Sequence, residues 1–211
     1  MKVLIFGAGG VGSVVGGFLA RTGHDVSLLG RARHLDVIKK QGLRITGSWG
    51  DYHMKALELY CNIDEIKKKN VSFDLIILTV KSYDMAQAVQ ELLPFLGEKT
   101  MLLSLQNGLG NIETILEKGV PPKNYLAGRV IFGVETEPGL AKVTVNADDV
   151  RIGALPNVEP VVSAYQIAQA FNFAKITTQA VPNILTYVWA KVIYNCALNA
   201  ICSLHEMPYG K

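Results

Sequence analysis

Apolar positions follow two rhythms along this chain. Residues 2–6 (KVLIF), 25–29 (DVSLL), 73–80 (FDLIILTV) and 100–105 (TMLLSL) are nearly continuous apolar runs, the pattern of strands covered on both faces. Between them, residues 13–22, 35–41, 85–96 and 111–118 carry helical periodicity, and Gly23, Gly42 and Gly119 stand where three of these helices would stop. Residues 43–46 and 52–60 are expected as strands around a Gly-Ser-Trp-Gly turn. Strand and helix thus alternate through about the first 120 residues, which predicts a parallel sheet with helices on both sides, an α/β fold. From residue 125 to 155 the pattern changes to β-branched runs separated by Gly and Pro, with short strands expected at 143–145 and 150–152. A helix is expected at 161–174, and after Pro182 a long apolar-rich helix at 183–204. The main boundary is placed near residue 180, giving domains 1–180 and 181–211.

Composition narrows the class. Of 211 residues, 49% are hydrophobic and 18% charged, enough for a buried core and unlike a disordered chain. A net charge of +3 is too small to argue for nucleic acid but suits small anionic ligands. Three Cys (Cys61, Cys196, Cys202) are too few and too scattered for a disulfide framework or a structural zinc site, and the last two are expected as small core residues. The four His show no metal-ligand spacing, and His34 is placed in a loop. No apolar run reaches the roughly 20 residues that cross a bilayer, and the apolar stretch after Met1-Lys2 is broken by Gly7. The expectation is a cytoplasmic protein without a membrane partner.

Gly7-Ala8-Gly9-Gly10-Val11-Gly12 fits G-x-G-x-x-G between an expected strand and an expected helix. The first Gly suits a tight turn, the second lets a pyrophosphate approach the backbone, and the third lets helix and strand pack closely. The helix N-terminus then offers free N–H groups to the phosphates; a Gly-rich turn without a ligand is the bland alternative. At the end of the second strand the sequence reads Leu28-Leu29-Gly30-Arg31-Ala32-Arg33-His34, with no acid until Asp36 to hold a ribose 2′-hydroxyl. Arg31, and after it Arg33, suit a 2′-phosphate instead, so NADPH is expected over NADH. Solvated surface charge is the alternative for both.

Lys81 and Asn107 follow two successive strands, where ligands of open α/β sheets bind. A surface lysine and an Asn-Gly turn residue are the competing readings. Lys191, Asn195 and Asn199 stand at i, i+4 and i+8, so a helix brings them to one face among Trp189, Val192, Ile193, Cys196, Ala197 and Leu198. Such a stripe is either a solvent face, though Glu and Arg are missing from it, or a polar site that needs partners.

Together, the Gly-rich N-terminus, Arg31, Lys81, Gln106-Asn107-Gly108 and the Lys191/Asn195/Asn199 helix resemble the ketopantoate reductase family over essentially the whole chain. The resemblance implies a Rossmann-type, doubly wound NADP-binding domain followed by an all-helical domain, with the active site between them. It implies NADPH-dependent reduction of 2-dehydropantoate to (R)-pantoate, toward pantothenate and coenzyme A. By position it implies that the 7–12 turn (Gly7, Ala8, Gly9, Gly10, Val11, Gly12) holds the pyrophosphate and Arg31 the 2′-phosphate. Lys81 and Asn107 would face cofactor and substrate, Lys191 would be the general acid, and Asn195 and Asn199 would bind substrate oxygens. The family continues beyond a position such as Lys211, and the further part supplies most of the helical domain, a serine for the substrate carboxylate and a glutamate supporting the lysine. The expectation is therefore an incomplete helical domain, weak or absent catalysis, and a homodimer covering the apolar helix. A mandelate-type D-2-hydroxyacid dehydrogenase and a non-catalytic NADP-binding module are the competing functions.

Overall fold

The computed structural model describes residues 1–158 and 161–207. The first half alternates as the apolar rhythm predicts: β1 (Lys2–Phe6), α1 (Gly10–Arg21), β2 (Asp25–Leu29), α2 (Ala32–Gln41), β3 (Leu43–Gly47), β4 (Tyr52–Met54), β5 (Glu58–Tyr60), α3 (Ile63–Lys69), β6 (Leu75–Leu78), α4 (Met85–Leu92), β7 (Met101–Ser104) and α5 (Asn111–Glu117). A long hairpin follows, β8 (Tyr125–Glu137) and β9 (Leu140–Gly153), then α6 (Val161–Phe173), β10 (Thr178–Ala180) and α7 (Ile184–Leu204). The short strands expected at 143–145 and 150–152 are therefore one long strand, antiparallel to β8, with bulges that absorb the Gly and polar interruptions.

All strands join one sheet in the order β4-β3-β9-β8-β7-β6-β1-β2-β5, with β10 also on β9. The run β5-β2-β1-β6-β7-β8 is parallel throughout. Numbered along the chain, that is the 3-2-1-4-5-6 order of dinucleotide-binding sheets, whose crevice opens where the winding reverses, between β1 and β6. Alternation within β1 feeds two cores. Val3 and Ile5 pack with Val14, Val15 and Phe18 of α1, while Leu4 and Phe6 pack with Ile66, Val89 and Ile115 of α3, α4 and α5.

The segment 52–60, expected as one strand, is two, at opposite edges of the sheet. Only residues 55–57 join them, so the edges stand no more than about 14 Å apart and the sheet must curl. It curls around α1, which touches β1, β2, β8, β9, β3 and β4. Gly16 and Gly17 make that fit: a Cβ on the first would lie 2.7 Å from Leu28 Cδ2, and one on the second 2.7 Å from Ile45 Cδ1. Helix α7 packs on β8 and β9 through one face only, and Ile184 is its one buried residue among those described.

Candidate functional site

The turn from β1 to α1 builds a cradle for anions. Gly7 adopts φ +111°, where a side chain would be strained, and its N–H and that of Ala8 both donate to Leu29 O at the end of β2. Thr79, just beyond β6, donates its hydroxyl to Gly7 O at 2.6 Å, which joins the two strand ends. A Cβ on Gly12 would lie 2.3 Å from that same oxygen, whereas the Cβ position of Gly9 is open. The first helical bond of α1 runs from Ser13 N–H to Gly9 O, so the N–H groups of Gly10, Val11 and Gly12 precede the ladder and point out of the helix end. Open space at Gly9 before unbonded N–H groups fits the pyrophosphate of a dinucleotide.

This cradle forms one wall of a cleft of about 720 Å³. Of the residues singled out from sequence, the cleft brings together Gly7, Ala8, Gly9, Arg31, Arg33 and Lys81. Gly10, Val11 and Gly12 sit behind it in α1. Arg31 is the N-cap of α2 and Arg33 lies in its first turn, both exposed, so a second helix N-terminus and two guanidiniums meet at the β2 end. Lys81 is exposed beyond β6. Asn107, also exposed, does not line the cleft, and its carbonyl accepts from Asn111 Nδ2 at 3.0 Å, as the turn alternative had it. Its neighbour Gln106 donates Nε2–H to Val80 O at 3.2 Å.

Sequence reasoning missed the opposite wall. Thr136, Glu137 and Pro138, from the β8–β9 turn, curl over to the cleft; the Pro138-Gly139 pair was the available signal for that hairpin. His34, expected in a loop, lies buried in α2 and ties this turn down. Its Nδ1 stands between Gly139 N–H at 3.1 Å, from which it can accept, and the Glu137 carbonyl at 3.2 Å, to which it can donate, and its Nε2 is 3.0 Å from Ser13 Oγ of α1. Burial lowers the His34 pKa from its ordinary value, partly offset by the Glu137 carbonyl.

Helix α7 has its polarity reversed. Tyr187 and Val188 pack against the core, Lys191, Val192 and Asn195 are half-buried, and Trp189, Ile193, Tyr194, Ile201 and Leu204 are exposed. Lys191 and Asn195 are thus less exposed than the solvent-face alternative has them. That alternative holds at Asn199, which is exposed: eight residues rotate a helix about 80° past whole turns, carrying it off the inner face. Cys196 is likewise exposed and Cys202 only half-buried, so neither is the core residue expected. Burial lowers the pKa of the Lys191 ammonium, and the like charge of Arg129 lowers it further. None of Lys191, Asn195 and Asn199 lines the cleft beside the Gly-rich turn. By length and mean hydropathy, α7 does reach what a membrane-crossing helix needs, contrary to expectation, because Lys191, Asn195 and Asn199 interrupt the run without outweighing its apolar residues.

Residues 3–157 match the family described as Ketopantoate reductase PanE/ApbA. The chain belongs to the ketopantoate reductase family. The 2-dehydropantoate 2-reductase of Aquifex aeolicus (strain VF5) is 34% identical over 211 residues, which cover 100% of this chain and 65% of that protein. A crystal structure of 2-dehydropantoate 2-reductase from Geobacter metallireducens GS-15 matches with a TM-score of 0.88 at 27% identity, over 99% of this chain and 67% of that one. The ternary structure of D-mandelate dehydrogenase with NADH and anilino(oxo)acetate matches with a TM-score of 0.85 at 28% identity, over 98% of this chain and 65% of that one. This ketopantoate reductase family member thus spans about 65% of the length of the curated relative from Aquifex aeolicus. The match over 3–157 contains the cradle, both arginines, Lys81 and the hairpin wall, and stops before α7.

Proposed function

We propose that this chain binds NADPH in the cleft and serves the reduction of 2-dehydropantoate to (R)-pantoate, a step toward pantothenate and coenzyme A, in the cytoplasm. The observation that carries the proposal is the half-burial of Lys191 and Asn195 on a helix whose apolar residues are largely exposed. Half-burying an ammonium costs desolvation, and a proton-donating role gives that cost a use.

The residues divide the work. Gly7, Gly9 and the N-terminus of α1 hold the pyrophosphate, and Arg31 and Arg33 at the start of α2 neutralise a 2′-phosphate. When bound there, the dinucleotide would supply the hydride for the ketone carbon. Lys191 stabilises the negative charge that builds on the ketone oxygen and then gives it a proton, leaving a hydroxyl. An amine whose ammonium is made less stable by burial is a better donor for that step. Asn195, one turn on, donates a hydrogen bond to a substrate oxygen, and Lys81 borders the substrate from the end of β6.

The likeness to D-mandelate dehydrogenase with NADH supports a second reading, a D-2-hydroxyacid dehydrogenase using NADH. Cofactor titrations separate the two. NADPH and NADH are titrated by fluorescence into the wild type and Arg31→Ala. We expect tighter NADPH binding by wild type, reduced about tenfold or more in the variant, with NADH little changed. Equal affinities in both proteins would favour the second reading. Turnover of 2-dehydropantoate is then followed by NADPH oxidation in wild type and Lys191→Ala. Loss of turnover with cofactor affinity intact supports Lys191 as donor, unchanged turnover removes it, and no turnover by either leaves a dinucleotide-binding module.

A further inference from the structure

Beneath the start of α7 lies a charged cluster whose one clear signal in the sequence is a lone Arg129 in an apolar run. Arg129 of β8 stands opposite Arg151 of β9 in the antiparallel register, and the bulges of the hairpin begin directly after it. It is 6% exposed, and such a buried guanidinium needs partners. Its NH1 donates to the carbonyl of Asp149 at 3.1 Å and its NH2 to Asp148 Oδ2 at 2.8 Å. Arg151 takes the other oxygen of Asp148 at 3.3 Å and also binds Gln179 of β10. Both guanidiniums face one ring: that of Tyr187, at 5.7 Å from Arg129 and 5.5 Å from Arg151. Tyr187 lies four residues before Lys191, hence one turn below it on the same half-buried face.

We propose that Arg129 is a positioning residue for the proton donor, a positive charge clamped by Asp148 under Tyr187 and held toward the Lys191 ammonium from the sheet side. The proposal rests on Lys191 being that donor. The clamp is what gives the charge an effect. A free arginine would swing away from a like charge, whereas two hydrogen bonds and an aromatic ring fix this one. The charged and titratable groups of the cluster are Arg129 from β8, Asp148, Asp149 and Arg151 from β9 and Tyr187 of α7, and the ring of Tyr194, also of α7, lies 5.3 Å from Lys191 Nζ. Of these, Arg129 is the one that joins burial in lowering the Lys191 pKa. A cation fixed nearby makes the ammonium release its proton more readily, which the oxygen gaining charge requires.

Arg151 is the internal control, because it shares Asp148 and Tyr187 with Arg129 but is also tied to Gln179 of β10. The test follows the lysine side-chain amines by NMR titration of the isotopically labelled chain, with the Lys191 signal assigned by its loss in Lys191→Arg. Wild type, Arg129→Lys, Arg129→Gln and Arg151→Gln are compared. We expect the Lys191 midpoint to rise in Arg129→Gln, to stay low in Arg129→Lys, and to stay low in Arg151→Gln. Should Arg129→Gln fail to fold, the double variant Arg129→Met with Asp148→Asn removes both charges of the pair, and a rise is again expected. No rise overturns the proposal. So does an equal rise in Arg151→Gln, which would make Arg129 no more than part of the seat of α7. The titration needs no turnover, so a failure of Lys191 as proton donor shows separately, in the turnover of Lys191→Ala.

Discussion

Gly9 and Gly12 lie three residues apart, and their surroundings assign them different duties. The Cβ position of Gly9 is open space in the cleft, while that of Gly12 is 2.3 Å from Gly7 O and 2.6 Å from Thr79 Oγ1. An added methyl at Gly9 meets only a ligand, so Gly9→Ala should leave stability within about 0.5 kcal/mol of the parent and still weaken NADPH binding about tenfold or more. At Gly12 the same methyl pushes on backbone that cannot yield without opening the β1–β6 junction. Gly12→Ala should cost about 1–3 kcal/mol of stability as well as cofactor affinity. Urea denaturation and fluorescence titration of both variants check the contrast. Equal losses of stability in the two would mean that the space at Gly9 is not reserved for a ligand. Neither duty needs the other residues of the turn, which is why the motif tolerates Ala8 and Val11 between the glycines.

At the level of elements, the parallel half of the fold was legible because its central strands are nearly continuous apolar runs and most of its helices close on a glycine or a polar residue. What the pattern could not show was closure. The split of 52–60 into two edge strands, and the length of β8 and β9, follow from a sheet that curls around α1, and curling leaves no mark in local periodicity. The same limit hid half the site. Arg31, Arg33 and Lys81 were legible from their places after strands, but the wall formed by Thr136, Glu137 and Pro138 reaches the cleft only because the hairpin folds over α2. His34 is the bolt between these elements. It joins Ser13 of α1 to the hairpin turn, where its Nδ1 meets both Gly139 N–H and the Glu137 carbonyl, and charging it exchanges the first bond for the second. Its pKa is lowered in the folded chain, chiefly by burial. The stability it contributes is therefore fully present above its unfolded value of about 6.5 and lost as pH falls through the lower folded value. Thermal unfolding measured between about pH 7 and pH 5 should show a steeper loss in the wild type than in His34→Gln, which cannot charge. Parallel curves would mean that His34 is not the group titrating.

For the molecule as a whole, the open question is what meets the outer side of α7. Ile193 is 66% exposed, Ile201 57% and Trp189 53%, and these residues form an apolar surface on a helix whose inner face is occupied by Lys191 and Asn195. Apolar patches of this kind rarely stay bare in water. A bilayer fits the length and mean hydropathy of α7, but it would have to take in Lys191, Asn195 and Asn199, and an ammonium at the middle of a membrane costs about 2.5 kcal/mol or more. A second copy of the chain covers the apolar row without burying those groups, because they lie toward the sheet or at the rim. We therefore expect the chain to self-associate through α7. Sedimentation velocity over a range of concentrations should show a dimer, and the pair Trp189→Glu and Ile193→Glu should return it to monomer with its circular dichroism and NADPH affinity unchanged. The double substitution leaves the inner face alone, so a loss of NADPH binding would mean that α7 is coupled to the cleft. A wild type that stays monomeric at every concentration, and sediments with phospholipid vesicles, would show that lipid and not protein covers this helix.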